Sequence, residues 1–400
     1  MQTTDAFDGL SCTDCGESFG VDEHARCPEC GAPLSPTYDL DAVDADAFGD
    51  RDGRGPGQYR FGDLLPFPAE TALTAGEGAT PLVRTDRLTD ELGVAAAYVK
   101  DEGRNPTGTY VDRGMSLAVT AAADRELEPL ALAAAGNAGQ SAAAYAGRTD
   151  LRSYAFVPSR TAFSNKAMVN VHGGEMRVVG GRYGDAAAAV DEQLAAEYHS
   201  LQEFTTPYRH DGAKTIAYEL LGDGPASDAD DTSLPDAVVL PASTGELVVG
   251  VVRGLEDLVD LGLAEAVPDV YTVQAAGCAP IATAFESGAD AVEAWTGPDT
   301  IVGELEIEDP AGGDLALAAL DRVDGDALAV EDDDALESAV TVAQTEVIEV
   351  GGAGGVALAG AWRLAESGAL GSDDEVVVVN PDAGVKTPDV LRSHLMGKGI

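Results

Sequence analysis

Lysine is scarce in this chain. Only Lys100, Lys166, Lys214, Lys386 and Lys398 occur in 400 residues, and 24 basic side chains in all face 70 acidic ones. The resulting net charge of −46 repels phosphate backbones and anionic bilayers, which argues against nucleic acid and membrane surfaces as partners. Long apolar runs are lacking too: no stretch of about 18 apolar residues occurs, so no membrane-spanning helix is expected. Residues 1–10 have neither the basic start nor the apolar centre of a signal peptide, and the expected location is the cytoplasm. Cysteine is limited to five residues, four of them between positions 12 and 30, a distribution that points to metal rather than disulfides.

What is present argues for a folded, salt-adapted protein. A hydrophobic content of 45% in regular apolar segments excludes wholesale disorder. An acidic, lysine-poor surface suits a halophile's salt-rich cytoplasm, where screening tames self-repulsion. The length suggests about two to three domains. Cys12-x-x-Cys15 and Cys27-Pro28-Glu29-Cys30 supply four thiolates, the set for a structural zinc with no open position. Gly16 and Gly31 suit the tight turns that follow each pair. A redox centre and a nucleic-acid ribbon are the other readings, and the acidity weakens the second. Cys278 reads as a small core residue.

Residues 41–75 are rich in Asp and Gly and read as a linker or loop. Strand-like and helix-like segments then alternate. Strands are expected at 96–100, 130–135, 152–157, 176–179, 237–240, 270–275, 328–330 and 376–379. Helices are expected from 113 to 123, from the Gly136–Gly139 turn through 148, from 163 to 171 and from 185 to about 199. Gly224–Pro235 reads as an acidic surface insertion. The alternation implies open, largely parallel sheets covered by helices on both faces.

Asn105-Pro106-Thr107-Gly108-Thr109-Tyr110-Val111-Asp112-Arg113-Gly114 carries the most information. It resembles the cofactor segment of the threonine synthase family, N-P-T-G-S-F-K-D-R-G, whose lysine forms the Schiff base with pyridoxal 5'-phosphate (PLP). In this chain Val111 stands at the lysine position, and an isopropyl group cannot condense with an aldehyde. Gly76-Glu77-Gly78-Ala79-Thr80-Pro81-Leu82 is similar to the family's G-E-G-N-T-P-L. Ala134-Ala135-Gly136-Asn137-Ala138-Gly139 resembles S-S-G-N-T-G, with alanines in place of two hydroxyls. Pro241-Ala242-Ser243-Thr244-Gly245-Glu246-Leu247 falls at the phosphate loop. A carboxylate about 5 Å from a phosphate, at an effective dielectric near 20, costs roughly 3 kcal/mol per phosphate charge. Near the C-terminus, Pro381 falls where the family has a hydroxyl for the pyridine nitrogen, with Asn380 beside it. Without PLP, Glu246 is expected to complement a helix dipole in the phosphate's stead.

The resemblance implies an α/β fold of two open, largely parallel sheets, the fold of type II PLP enzymes, plus an N-terminal zinc ribbon. The expected units are 8–40 for the ribbon, 41–75 for the linker, 76–112 with 203–400 for a large domain, and 113–202 for a small one. It implies a remnant cofactor pocket of Asn137, Ser243, Thr244, Gly245 and Asn380. It implies a substrate subsite of Thr107, Thr109, Gly136, Asn137, Ala138 and Gly139, and metal ligands Cys12, Cys15, Cys27 and Cys30. Asn137 also reads simply as the cap of a glycine turn. The favoured expectation is a pseudoenzyme without Schiff-base catalysis, which binds a small amino-acid-like or phosphorylated metabolite. Its expected assembly is a homo-oligomer or a complex with an active paralogue. The alternative is an active threonine synthase or related amino-acid lyase, turning O-phosphohomoserine into threonine with non-covalently bound PLP. A third class is a ribbon scaffold whose cleft binds nothing.

Overall fold

Three sheets, one antiparallel and two built mainly of parallel strands, organise the computed structural model, which describes residues 1–21, 25–45, 48, 55–194, 198–222 and 233–397. The first is a small antiparallel sheet of β1 (Phe7–Cys12), β2 (Ser18–Phe19) and β3 (Leu34–Tyr38), ordered β2-β1-β3. The chain next lays down β4 (Leu82–Arg84), α1 (Asp86–Leu92), β5 (Ala96–Asp101) and α2 (Val111–Asp124). It then forms a four-stranded parallel sheet from β6 (Leu130–Ala133), β7 (Ser153–Pro158), β8 (Glu175–Val179) and β9 (His199–Ser200), ordered β8-β7-β6-β9. Helices α3 (Asn137–Ala146), α4 (Phe163–Val171) and α5 (Tyr183–Gln193) connect these strands.

After α6 (Arg209–Ala213) and α7 (Thr215–Gly222) the chain returns to the larger sheet through β10 (Ala237–Pro241), β11 (Asp269–Ala275), β12 (Gly325–Val330) and β13 (Glu375–Asn380). Its order is β12-β11-β10-β13-β5-β4, all parallel except the edge pair β4 and β5. The crossovers carry α8 (Glu246–Asp260), α9 (Pro280–Ser287), α10 (Gly313–Leu320), α11 (Asp332–Glu346) and α12 (Gly352–Ser367), and α13 (Pro388–Gly397) follows β13. β10 and β13 are near-continuous Val-rich runs because both of their faces are covered. Val239, Val376 and Val378 join the core under α11 and α12, while Val238, Val377 and Val379 join the core under α7 to α10. The alternation of one strand thus feeds two cores. No helix among the described residues is long and apolar enough to cross a membrane.

The structure departs from the sequence reading in two places. The helix expected to run from 185 to about 199 stops at Gln193, and His199–Ser200 pairs with Leu130 and Ala131 as an edge strand. The alanine-rich run carries no stop signal of its own, and Leu194 is already extended; residues 195–197 lie outside the described set. The segment read as a linker is in part core. Gln58, Tyr59, Phe61, Leu64, Leu65 and Phe67 are buried, and Gln58 Nε2 donates to the Arg113 carbonyl at 2.9 Å. Local composition concealed apolar residues that pack against distant elements. The acidic insertion at 224–235 falls almost entirely outside the described residues.

A buried ion network ties β5, α2 and α7 together. Arg113, with no exposed surface, donates to Glu102 at 2.7 Å and to Glu219 at 2.8 Å, and Lys100 Nζ lies 2.6 Å from Glu219. The Ala79 amide also donates to Glu219, at 2.7 Å, which pins the Gly76–Leu82 loop. Burial works against the charge of Glu219, but Arg113 and Lys100 outweigh it and hold the carboxyl well below the usual carboxylate range. Its stabilising share is therefore present above the ordinary carboxylate pKa and is lost only as pH falls through the folded value. Glu219→Gln is expected to cost about 3–5 kcal/mol, since it leaves Lys100 buried without its counterion and Arg113 with Glu102 alone. Urea unfolding in concentrated KCl measures this, and a loss below about 1 kcal/mol, the size of a surface pair, would contradict the assignment.

Candidate functional site

A cavity of about 80 Å³ lies at the C-terminal ends of β6, β10 and β13, where open α/β sheets place their ligands. One wall comes from the starts of α2 and α3, the opposite wall from the β10–α8 turn, and the floor from Pro381, Asp382, Glu304, Leu305 and Ile307.

Of the residues assigned from sequence, Gly136, Asn137, Ala138, Ser243 and Thr244 meet on this cavity, and so does Val111, the first residue of α2. Others are held away from it. Thr107 donates its hydroxyl and its amide to Asp112, at 2.7 and 2.6 Å, and Ser141 donates to the same carboxylate. Thr109 is buried in a backbone bridge to Asp382, and Gly139 packs against Ala134 and Ala155. Asn380 turns its amide to Asp101 at 2.9 Å and to the Glu349 carbonyl at 3.3 Å. Gly245 adopts a left-handed φ of +88°, and a Cβ there would stand 2.5 Å from the Gly312 carbonyl oxygen. That turn aims the next residue, Glu246, into the first turn of α8.

Glu246 does complement the α8 dipole, and it also has a counterion that sequence patterns did not assign. Arg209 grips it with Nε and Nη2 at 3.0 and 2.6 Å and reaches Glu203 at 3.0 Å. Tyr183 donates its hydroxyl to Glu203. All three charged groups are buried, and the trio carries a net charge of −1. Burial raises the Glu246 pKa, Arg209 opposes the rise and Glu203 adds to it. A second acidic pair, Glu304 and Asp382, lines the floor. Burial and the neighbouring Asp382 push Glu304 up to about 7, and burial raises Asp382. A basic residue beside Tyr208 in so acidic a chain was the one local clue to Arg209. Arg209 and Glu246 lie 37 residues apart, and Asn137, which donates to Asp382, lies 245 residues from it, beyond any local pattern.

No lysine amine lines the cavity among the described residues. Lys100 is paired with Glu219, Lys214 with Asp211 at 2.8 Å, and Lys166 donates to the Ser159 carbonyl. Lys386 Nζ donates to Gln140 at 2.9 Å, and Lys398 lies outside the described residues. Cys278 is a buried core residue whose thiol is pushed up to about 12 by burial, the opposite of an activated nucleophile. Cys12, Cys15, Cys27 and Cys30 gather at the ribbon, with Sγ separations of 3.4 Å for Cys12–Cys30, 3.6 Å for Cys15–Cys27 and 3.7 Å for Cys15–Cys30. Zinc bonds of about 2.3 Å set tetrahedral thiolates about 3.8 Å apart, so the cluster has the dimensions of a zinc site. Gly16 and Gly31 take left-handed φ of +73° and +79° in the turns behind it.

The family model described as pyridoxal-phosphate dependent enzyme matches residues 73–382. A threonine synthase of Methanosarcina acetivorans is 30% identical over 384 residues, covering 96% of this chain and 93% of that protein. A threonine synthase of Methanocaldococcus jannaschii is 31% identical over 381 residues, covering 94% and 93%. Diaminopropionate ammonia lyase from Escherichia coli shares the fold at a TM-score of 0.68 and 19% identity, over 81% of this chain and 89% of that one.

Arg209→Met is expected to destabilise the protein by about 3–5 kcal/mol, because Glu203 and Glu246 then face each other buried and unpaired. Adding Glu246→Gln should restore part of the loss. Urea unfolding of the single and double variants in KCl checks this, and additive losses would refute the coupling.

Proposed function

From the premise that this chain belongs to the pyridoxal-phosphate-dependent enzyme family and is threonine-synthase-like, we propose that it has left Schiff-base catalysis and uses its cleft to bind a small metabolite. The observation that carries this reading is Val111. In the run Asn105–Gly114 it takes the place of the family's reactive lysine, and it opens α2 on the cavity wall. Every described lysine is engaged elsewhere, so no amine stands in for it.

The phosphate end gives support. Ser243, Thr244 and the start of α8 remain, yet Glu246 occupies the first turn and uses the helix dipole itself. Arg209 reduces the repulsion that Glu246 alone would exert on a phosphate. The trio's remaining −1 keeps the end of the cavity repulsive. The residues present therefore do not fit PLP held in the family's manner, and no step through PLP is assigned to this cleft. A second reading stays in view because of the 30% identity along nearly the whole chain of a threonine synthase: an active enzyme holding PLP without a covalent link. The four clustered thiols we assign to structural zinc, which closes the ribbon and leaves no open coordination position.

Protein purified in concentrated KCl, mixed with PLP and reduced with borohydride, is expected to carry no stoichiometric pyridoxyl adduct by peptide mass spectrometry. Equilibrium dialysis is expected to show no retained PLP. Stoichiometric retention would sink the proposal and revive the non-covalent enzyme, to be assayed with O-phosphohomoserine. For the ribbon, metal analysis should find one zinc per chain. Cys15→Ser should lose it and lower the unfolding temperature, and a zinc-free wild type of equal stability would refute the structural role.

A further inference from the structure

Three cavity-lining side chains each end in a buried oxygen with no hydrogen-bond partner: Asn137 Oδ1, Glu304 Oε1 and Asp382 Oδ1. All three atoms are acceptors when the two carboxyls are ionised. Asp382 is only 1% exposed and receives the Asn137 amide on its other oxygen at 2.6 Å. That bond also fixes the amide of Asn137, since only its nitrogen can donate to a carboxylate.

No cation of the chain donates a hydrogen bond to these atoms, although the Lys386 charge lies near enough to favour ionised Glu304 and Asp382. Arg209 is committed to Glu203 and Glu246, and Lys386 Nζ donates to Gln140 at 2.9 Å and Asn165 at 3.5 Å. Four carboxylates line the cavity, Glu203, Glu246, Glu304 and Asp382, against the single guanidinium of Arg209. Gly351 leaves room for the orphan oxygen of Asp382, since a Cβ there would come within 2.3 Å of it. A ligand rich in acceptors, such as a phosphate, would be repelled by this floor. A donor-rich cation would satisfy it, and a primary ammonium offers three donors and no acceptor.

We propose that the cleft holds the free primary ammonium of a small molecule between Asn137, Glu304 and Asp382. This deepens the metabolite-binding reading and rests on it. The ammonium could belong to a free amino acid or to a simple amine. The start of α3, which lines the same cavity and has no side-chain cap, offers an anion site for a carboxylate.

Calorimetric titration of the full chain in concentrated NaCl tests this with three matched probes. L-Threonine carries both groups, 1-amino-2-propanol lacks the carboxylate, and 3-hydroxybutyrate lacks the ammonium. At least one of the two amines is expected to bind, and 3-hydroxybutyrate is expected to bind at least about a hundredfold more weakly than that amine. Near-equal affinity for the two amines assigns the site to simple amines, and much tighter binding of L-threonine assigns it to free amino acids. Asp382→Asn and Glu304→Gln should each weaken the tighter amine about tenfold or more. The proposal is overturned if 3-hydroxybutyrate binds as well as that amine, if neither amine binds, or if both folded variants bind unchanged. Loss of amine binding when KCl replaces NaCl would overturn it too, by assigning the acceptors to a bare alkali cation. Should the variants not fold, the three probes on the wild type decide. Stoichiometric PLP in the dialysis above would sink the pseudoenzyme reading itself, whereas absent PLP with absent amine binding sinks only this inference.

Discussion

Arg113 is wholly buried, and the architecture around the cleft depends on the two carboxylates that keep it so. Glu102 follows β5, Glu219 lies on α7, and Arg113 belongs to α2, so one guanidinium fastens the larger sheet, the return crossover and the wall of the cavity. Lys100 adds a second cation, which balances two positive against two negative charges without solvent. Such a network is costly to assemble and far costlier to break at one member. It also gives the signature residues around Val111 a structural duty that is independent of any chemistry at that position. Asn105 receives the Gly78 amide and donates to Glu102, Asp112 collects Thr107 and Ser141, and Gly114 lies against the Arg209 carbonyl with no space for a side chain. Those signature residues satisfy buried polar groups of the fold. Val111 faces the cavity and carries no such obligation.

The same division accounts for where the scarce lysines are found. Lys100, Lys214 and Lys386 are buried, the first two against carboxylates and Lys386 against the amide oxygens of Gln140 and Asn165. Surface charge is therefore overwhelmingly acidic. Concentrated salt screens that exterior repulsion over a few ångströms, while the buried pairs are shielded from it. High salt thus relieves the surface without weakening the network that holds the cleft together.

The parallel strands were legible because two-sided burial writes continuous apolar runs such as Ala237–Leu240 and Val376–Val379. The four clustered thiols were legible because their spacing is local. The end of α5 was not, since the alanine-rich run carries no stop signal of its own and the pairing of His199–Ser200 with β6 is made by distant residues. Nor was the buried stretch from Gln58 to Phe67, whose partners are Arg113, Ser116 and other distant residues. At the site, the residues of each glycine turn could be named in advance, but their charge balance could not. Arg209 with Glu246, and Asn137 with Asp382, are pairs made by the fold alone.

Those long-range pairs also tie the ribbon to the cleft. Arg209 holds Glu246, the next residue, His210, contacts Ser35 Oγ of β3 at 3.0 Å, and Asp211 accepts the Tyr38 hydroxyl at 2.6 Å. Lys214 completes the contact by lying 3.7 Å over the Tyr38 ring. Burial holds His210 neutral, with its pKa near 3, so this joint does not gain charge over the physiological range. A single turn of helix therefore carries the cavity's counterion on one residue and the ribbon's anchors on the next two. Gly114 and Gly212 let that turn approach α2 backbone to backbone, which leaves little freedom to shift one end without the other. A ribbon whose thiols take no part in the cleft can thus still set the position of Arg209, and through it the charge that any occupant of the cleft meets.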